Sequence, residues 1–143
     1  MQVRAATPDD AERLAALVGE LGYPTTGEAM RERLATMSHP ASDAVLVAEE
    51  GGVVLGCISL HLSPMLHVEG RVGRITTLVV DEHQRGQGIG RVLLDAAHAW
   101  FARHGCRTVE LTSGIRRERA HRFYESNGYT RRSVRFVRQI DAS

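Results

Sequence analysis

Apolar positions recur along this chain at two spacings, and the switches between them predict an alternation of strands and helices. Residues 2–6 read as a short strand. Thr7-Pro8-Asp9-Asp10 then makes a helix start, with Thr as N-cap, Pro at the first helical position and acids in the first turn. Ala11, Leu14, Ala15, Val18 and Leu21 follow at helical spacing until Gly22 ends the run. Residues 27–37 predict a second helix with Met30, Leu34 and Met37 on one face, stopped by His39-Pro40. Residues 44–49 and 53–62 are apolar and β-branched, and Gly51-Gly52 between them signals a hairpin. Arg71–Val80 predicts the third strand of this block, where Gly73 marks a bulge or a close backbone approach.

A polar, Gly-rich turn covers residues 81–88. A long amphipathic helix follows, with Ile89, Val92, Leu93, Ala96, Ala97, Trp100 and Phe101 inward, closed by Arg103-His104-Gly105. Residues 108–113 predict a strand and 116–127 a helix, with Ala120, Phe123 and Tyr124 inward and Gly128 as its cap. Residues 129–140 carry one or two final strands by the same reading. With no repeat, linker or low-complexity stretch, residues 1–143 are expected to form one α+β domain.

Composition narrows the class. The chain is 143 residues long, 43% hydrophobic and 24% charged, as a soluble domain would be. No apolar run approaches a membrane span, and the first ten residues lack a secretory pattern, so the expected location is the cytoplasm without membrane contact. Cys57 and Cys106 are expected as free thiols, and neither has a partner at metal-ligand spacing. All eighteen basic residues are arginine. Residues 1–50 carry nine acids against four arginines, whereas 103–143 carry ten arginines against four acids. That basic end lacks interleaved aromatics, a zinc pattern or a helix-turn-helix, which argues against nucleic acid. It leaves open a smaller polyanion, since guanidinium groups pair with phosphate in a bidentate geometry.

The turn says which polyanion to consider. Arg85-Gly86-Gln87-Gly88-Ile89-Gly90 lies between a strand and a helix, where glycines let the backbone approach a ligand and the helix start offers unpaired N–H groups. A dinucleotide G-x-G-x-x-G fails, because its third glycine would fall on Leu93 or Arg91. A Walker A loop fails because the chain has no lysine. Arg-x-x-Gly-x-Gly, from Arg85 through Gly88 to Gly90, resembles the CoA-pyrophosphate loop of the GNAT superfamily of N-acetyltransferases. Ala120-His121-Arg122-Phe123-Tyr124-Glu125-Ser126-Asn127-Gly128-Tyr129 resembles that family's second signature, Ala-x-x-Phe-Tyr-x-x-x-Gly-Phe/Tyr. The order of elements agrees as well, so the resemblance spans nearly the whole chain. Two departures stand out: Arg117 occupies a position where many members carry Asn, and Glu82 one where proline is frequent.

The resemblance implies an α/β/α sandwich with about four helices and a mixed, mostly antiparallel sheet whose parallel strands four and five splay apart. It implies acetyl-CoA as co-substrate, no metal, and direct transfer of acetyl to an amine of a small molecule or protein. Pantetheine would lie between the splayed strands against the main chain of Leu78 and Val80, with an oxyanion-stabilising N–H near Leu78 or Val79. Arg85, Gly86, Gln87, Gly88, Ile89, Gly90 and Arg91 would hold the pyrophosphate, and Arg117 a cofactor phosphate. Tyr124 would protonate the departing thiolate, because a phenol of ordinary pKa ~10 keeps its proton at neutral pH. The base stays open among Glu110, His61, His67, Glu49 and water, and His98, His104 and His121 are expected to be structural or solvated. A catalytically silent acyl-CoA-binding or regulatory module is the competing reading. The acceptor and a homodimeric state stay open.

Overall fold

A five-stranded sheet organises the first 111 residues of the computed structural model, which describes residues 1–141. Met1–Leu111 is one compact unit, and the residues from Thr112 onward are a second. The first unit contains β1 (Gln2–Ala5), α1 (Ala11–Glu20), α2 (Gly27–Thr36), β2 (Asp43–Glu50), β3 (Val53–Pro64), β4 (Arg71–Val80), α3 (Ile89–Arg103) and β5 (Val109–Leu111). The strands lie in chain order, antiparallel except for the parallel pair β4–β5. Sheet type and splayed parallel pair are as the resemblance implied.

Local chemistry accounts for the element ends. Residues 8–10 form a 3-10 turn ahead of α1. Asp10 turns back so that its carboxylate accepts the Thr7 N–H at 2.8 Å, while the Asp10 N–H bonds the Thr7 carbonyl rather than its hydroxyl. Asp10 is buried, and Arg4 neutralises it with two bonds of 2.9 Å. The guanidinium holds that carboxyl below the usual range. Gly51 and Gly52, with φ of +59° and +80°, make the tight β2–β3 turn that the hairpin signal required.

Two layers cover the sheet of this unit. On one face Ala11, Leu14, Leu17, Met30 and Leu34 of α1 and α2 pack with Val47, Cys57 and Val79 from the strands. On the other face α3 lies so close that a Cβ on Gly73 would stand 2.5 Å from the Phe101 ring. The glycine inside β4 is therefore a close approach to α3. Leu94 joins the residues expected to be inward on α3, while Val92 and Ala96 are only half-buried. Cys57 is buried and free, and burial pushes its thiol up to about 12.

The second unit departs more from expectation. Its helix α4 (Glu118–Ser126) is shorter than residues 116–127 at both ends, and in the first unit β5 keeps only three of the six residues expected at 108–113. No strand forms among the described residues 129–141, which corrects the one or two strands expected there. A strand needs a ladder partner, and α4 is the one regular element of this unit among its described residues. Val134, Phe136, Val137 and Ile140 are accordingly exposed. Among the described residues no helix is long and apolar enough to cross a membrane, and no cluster of acids, histidines and cysteines could hold a metal.

Candidate active site

The first unit opens where β4 leaves β5. The two strands pair only at Gly73↔Val109, Arg74↔Glu110 and Ile75↔Leu111. Beyond Ile75, β4 runs on to Val80 paired with β3 alone. The register explains the parting. Leu60 lies opposite Ile75 but Ser59 lies opposite Thr77, so Thr76 is an extra residue, a bulge on β4. A bulge bends its strand and increases the local twist, and here it falls directly after the last β4–β5 pair.

Alternation along the strand says which peptide groups face the opening. Asp81 donates its N–H to Leu55 on β3 at 2.8 Å, so Val79, two residues back, also turns its main chain to β3. Leu78 and Val80 then present theirs to the unpaired side. Of the three residues expected to contribute backbone groups, Val79 has its peptide turned inward and its side chain buried in the core.

The turn that follows is pinned at its start. One Asp81 carboxylate oxygen caps the His83 N–H at 2.8 Å, and the other takes Arg13 of α1 at 2.5 Å. Arg13 also bonds the Val54 carbonyl at 2.9 Å, tying helix, sheet and turn together. The His83 N–H first, and then Arg13, hold the Asp81 carboxyl below the usual range. Gly86 and Gly88 follow with φ of +84° and +79°, a region costly for any residue with a Cβ. A Cβ built at either one meets no protein atom within 4 Å, so both face open space. Gly88 is the N-cap of α3 and offers no side chain to its first turn. The N–H groups of Ile89, Gly90 and Arg91 therefore remain free of helical partners at the positive end of a 15-residue helix. Ile89 is buried and anchors this start, whereas Arg85, Gln87 and Arg91 are exposed. Such a cradle suits a phosphate or pyrophosphate.

The polar candidates for a base separate clearly. Arg4 holds Glu49 at 2.6 Å on the β1–β2 side of the sheet, away from β5. Glu110 pairs with Arg74 beside the fork. His61 bonds Asp43 through Nδ1 at 2.8 Å, and His67 sits in an exposed loop. His104 bonds the Trp100 carbonyl at 2.8 Å as a helix-end residue. A cavity of about 250 Å³ lies at the other end of β4 and β5, lined by Arg71, Gly105, Arg107 and Thr108 among others, and contains none of the expected site residues.

In the second unit, Tyr124 lies on α4 with its ring edge-on to Phe123 at 5.5 Å and to Tyr129 at 6.0 Å. Burial pushes its phenol above the ordinary value of 10, against a smaller opposing effect of Arg117. Arg117 itself caps α4, its N–H bonded to the Gly114 carbonyl at 3.0 Å. His121 bonds the same carbonyl at 2.8 Å, the structural role expected of it. Sequence reasoning missed Arg13, Asp43 and the Thr76 bulge. Asp81, standing just ahead of the glycine turn, was the one visible signal among these partners.

Comparison with known proteins agrees with this geometry. The chain is 34% identical to aminoalkylphosphonate N-acetyltransferase of Salmonella typhimurium, over 97% of this chain and 91% of that protein. It is 28% identical to aminoglycoside N(6')-acetyltransferase type 1 of Stenotrophomonas maltophilia, over 99% and 95%. The structure of glucosamine-6-phosphate N-acetyltransferase from Arabidopsis thaliana superposes with a TM-score of 0.84 at 23% identity, covering 98% of each chain, a likeness of fold. The sequence profile of the acetyltransferase (GNAT) family matches residues 12–129, a span that takes in the fork, the glycine turn and the α4 signature. The match covers most of the chain, and the protein belongs to the acetyltransferase (GNAT) family.

Proposed function

We propose that this protein moves acetyl from acetyl-CoA directly to the primary amine of a small-molecule acceptor, with both substrates bound at once. The observation that carries the reading is the continuous open edge from Thr76 to Val80, which leads straight into the Gly86–Gly88 turn and the free first turn of α3. Its residues fit the group: peptide groups of Leu78 and Val80 for pantetheine amides, and an uncluttered, electropositive cradle for the pyrophosphate. Arg85, Gln87 and Arg91 border that cradle, and Arg117 is assigned to a cofactor phosphate. Acetyl-CoA supplies a thioester carbon open to attack by a neutral amine. The chain's own contribution is alignment, a peptide N–H at Leu78 for the charge that develops on the carbonyl oxygen, and a proton for sulfur.

Tyr124 is assigned the proton. A phenol is protonated at neutral pH already at its ordinary value, and burial shifts this one further the same way. Tyr124→Phe keeps the ring and removes that proton, so acetyl-CoA affinity should persist while kcat and kcat/KM fall together, about 10- to 1,000-fold. An acetyl donor with a more acidic thiol should suffer less. Full activity in Tyr124→Phe would return the proton to water.

The acceptor is sought first among aminoalkylphosphonates, because the relative named for them matches almost the whole chain. A thiol-release assay with acetyl-CoA should show turnover on at least one member of a panel of aminoalkylphosphonates, aminoglycosides, amino acids and polyamines. Acetyl-CoA binding without turnover on any amine would favour a silent binding module.

A further inference from the structure

Four charged or titratable residues stand opposite one another across four strands of the first unit. Asp43 on β2 faces His61 on β3, His61 faces Arg74 on β4, and Arg74 faces Glu110 on β5. Directly opposed residues share a face of a sheet. Gly73 points to α3, so Arg74 and its whole row point the other way, onto the face of α1 and α2. The apolar cluster beneath those helices ends at Cys57 and Val79, four and five residues from the row along β3 and β4. The row is thus a polar shelf beyond the helices, with His61 41% and Glu110 40% exposed.

This shelf sits one residue short of the fork, since Arg74↔Glu110 precedes the last β4–β5 pair. Two hydroxyls mark the step to the fork on the same face: Ser59, two residues from His61 on β3, bonds the bulge residue Thr76 at 2.6 Å. His61 lies about one and a half strand spacings, ~7 Å, to the side of the fork line and three residues, ~10 Å, along β3 from Ile58, which faces Leu78, a gap for an imidazole and bridging water. Within the row the partners are unequal. Glu110 is committed to Arg74. His61 is held through Nδ1 alone, by Asp43 Oδ1 at 2.8 Å, and the other Asp43 oxygen takes the Ser42 hydroxyl at 2.7 Å. Asp43 is 15% exposed. Among the described residues Nε2 of His61 has no protein partner.

We propose that His61 Nε2 takes the proton of the acceptor's ammonium group, through bridging water, and that Asp43 is the positioning residue that fixes the Nδ1–H tautomer needed for it. This rests on the transferase reading above. A carboxylate on Nδ1 keeps the hydrogen there, leaves the Nε2 lone pair outward and stabilises the imidazolium that forms. The balance is closed. The ammonium gives one proton to His61; the freed lone pair forms the C–N bond as C–S breaks and its electrons go to sulfur. The second amine proton balances the one the thiolate takes up, and His61 returns its proton to solvent. The charged groups facing His61 from the flanking strands are Asp43 and Arg74, with Glu110 behind Arg74.

The test uses the full chain and the best amine of the panel. His61→Gln should lower kcat/KM by about 10²- to 10⁴-fold and remove the acid-side fall of its pH profile. Asp43→Asn should lower it less and shift that fall, since the imidazole stays but loses its orientation. Calorimetric affinity for acetyl-CoA should be unchanged in both. Long-range ¹H–¹⁵N spectra, with the His61 signals assigned by their loss in His61→Gln, should show the Nδ1–H tautomer in the native protein and a tautomer mixture in Asp43→Asn. Native turnover with an unaltered pH profile in His61→Gln overturns the proposal and leaves the transferase reading standing. Loss of acetyl-CoA affinity in both variants also overturns it, as the pair would then be structural. Failure of the native protein on every amine overturns the transferase reading itself.

Discussion

The two halves of β4 differ in their neighbours. From Arg71 to Ile75 the strand is flanked by β3 and β5, and its glycine is pressed under the Phe101 ring. From Thr76 to Val80 it keeps β3 and lacks β5, and the glycines beyond it face open space. The first half spends its peptide groups on the fold. The second leaves the peptide groups of Leu78 and Val80 without a strand partner. Glycine changes meaning accordingly: at Gly73 it admits a neighbouring helix, and at Gly88 it admits a backbone conformation and a guest.

Three experiments sharpen that contrast, from the largest effect to the smallest. Gly88→Val should abolish calorimetric binding of acetyl-CoA, because a branched side chain at φ +79° both strains the turn and fills the cradle. Unchanged affinity would dissociate the turn from the cofactor and erase the distinction between the halves. Gly73→Ala should instead act on stability, lowering it by about 1–3 kcal/mol as the new methyl meets Phe101, and should leave the affinity of the surviving folded protein near native. A loss of affinity with native melting temperature would mean that the paired half also serves the ligand. The smallest effect concerns the arginines assigned to phosphates. Affinity for CoA should fall as salt rises and should exceed that for dephospho-CoA if Arg85, Arg91 or Arg117 meets a phosphate. Equal affinities would make the basic end of the chain a solvated face toward the 3′-phosphate.

The same strand shows what sequence can and cannot carry. The bounds of β4, the close approach at Gly73 and the glycine turn were all legible, because each depends on residue types within one segment. The resemblance implied the fork, and the residues alone did not. Its immediate cause, the extra residue at Thr76, depends on register against β3, and neither strand states that register by itself. Asp43 and His61 lie 18 residues apart, and Arg13 and Asp81 lie 68 apart; only the folded sheet makes them partners. The final strands were expected because Val134, Phe136 and Ile140 recur as β-formers do, yet propensity yields a strand only where a ladder partner exists. Tyr124 and its signature were legible as a motif. The burial that raises its phenol was not.

The bulge at Thr76 carries a cost as well as a site. A strand edge with peptide groups to spare is adhesive, and proteins that expose one court edge-to-edge association with their own copies. Most folds blunt such edges with charge, proline or a covering helix. On the function proposed above this edge cannot be blunted, since any group that capped Leu78 and Val80 would also exclude the pantetheine. The natural guard is occupancy. A ligand lying along β4 completes the ladder, stabilises the folded state by mass action and removes the template for a neighbouring chain. On the proposed reading acetyl-CoA is then a chaperone of its own binding edge, and protein stripped of it in concentrated solution is expected to be the form most prone to clump.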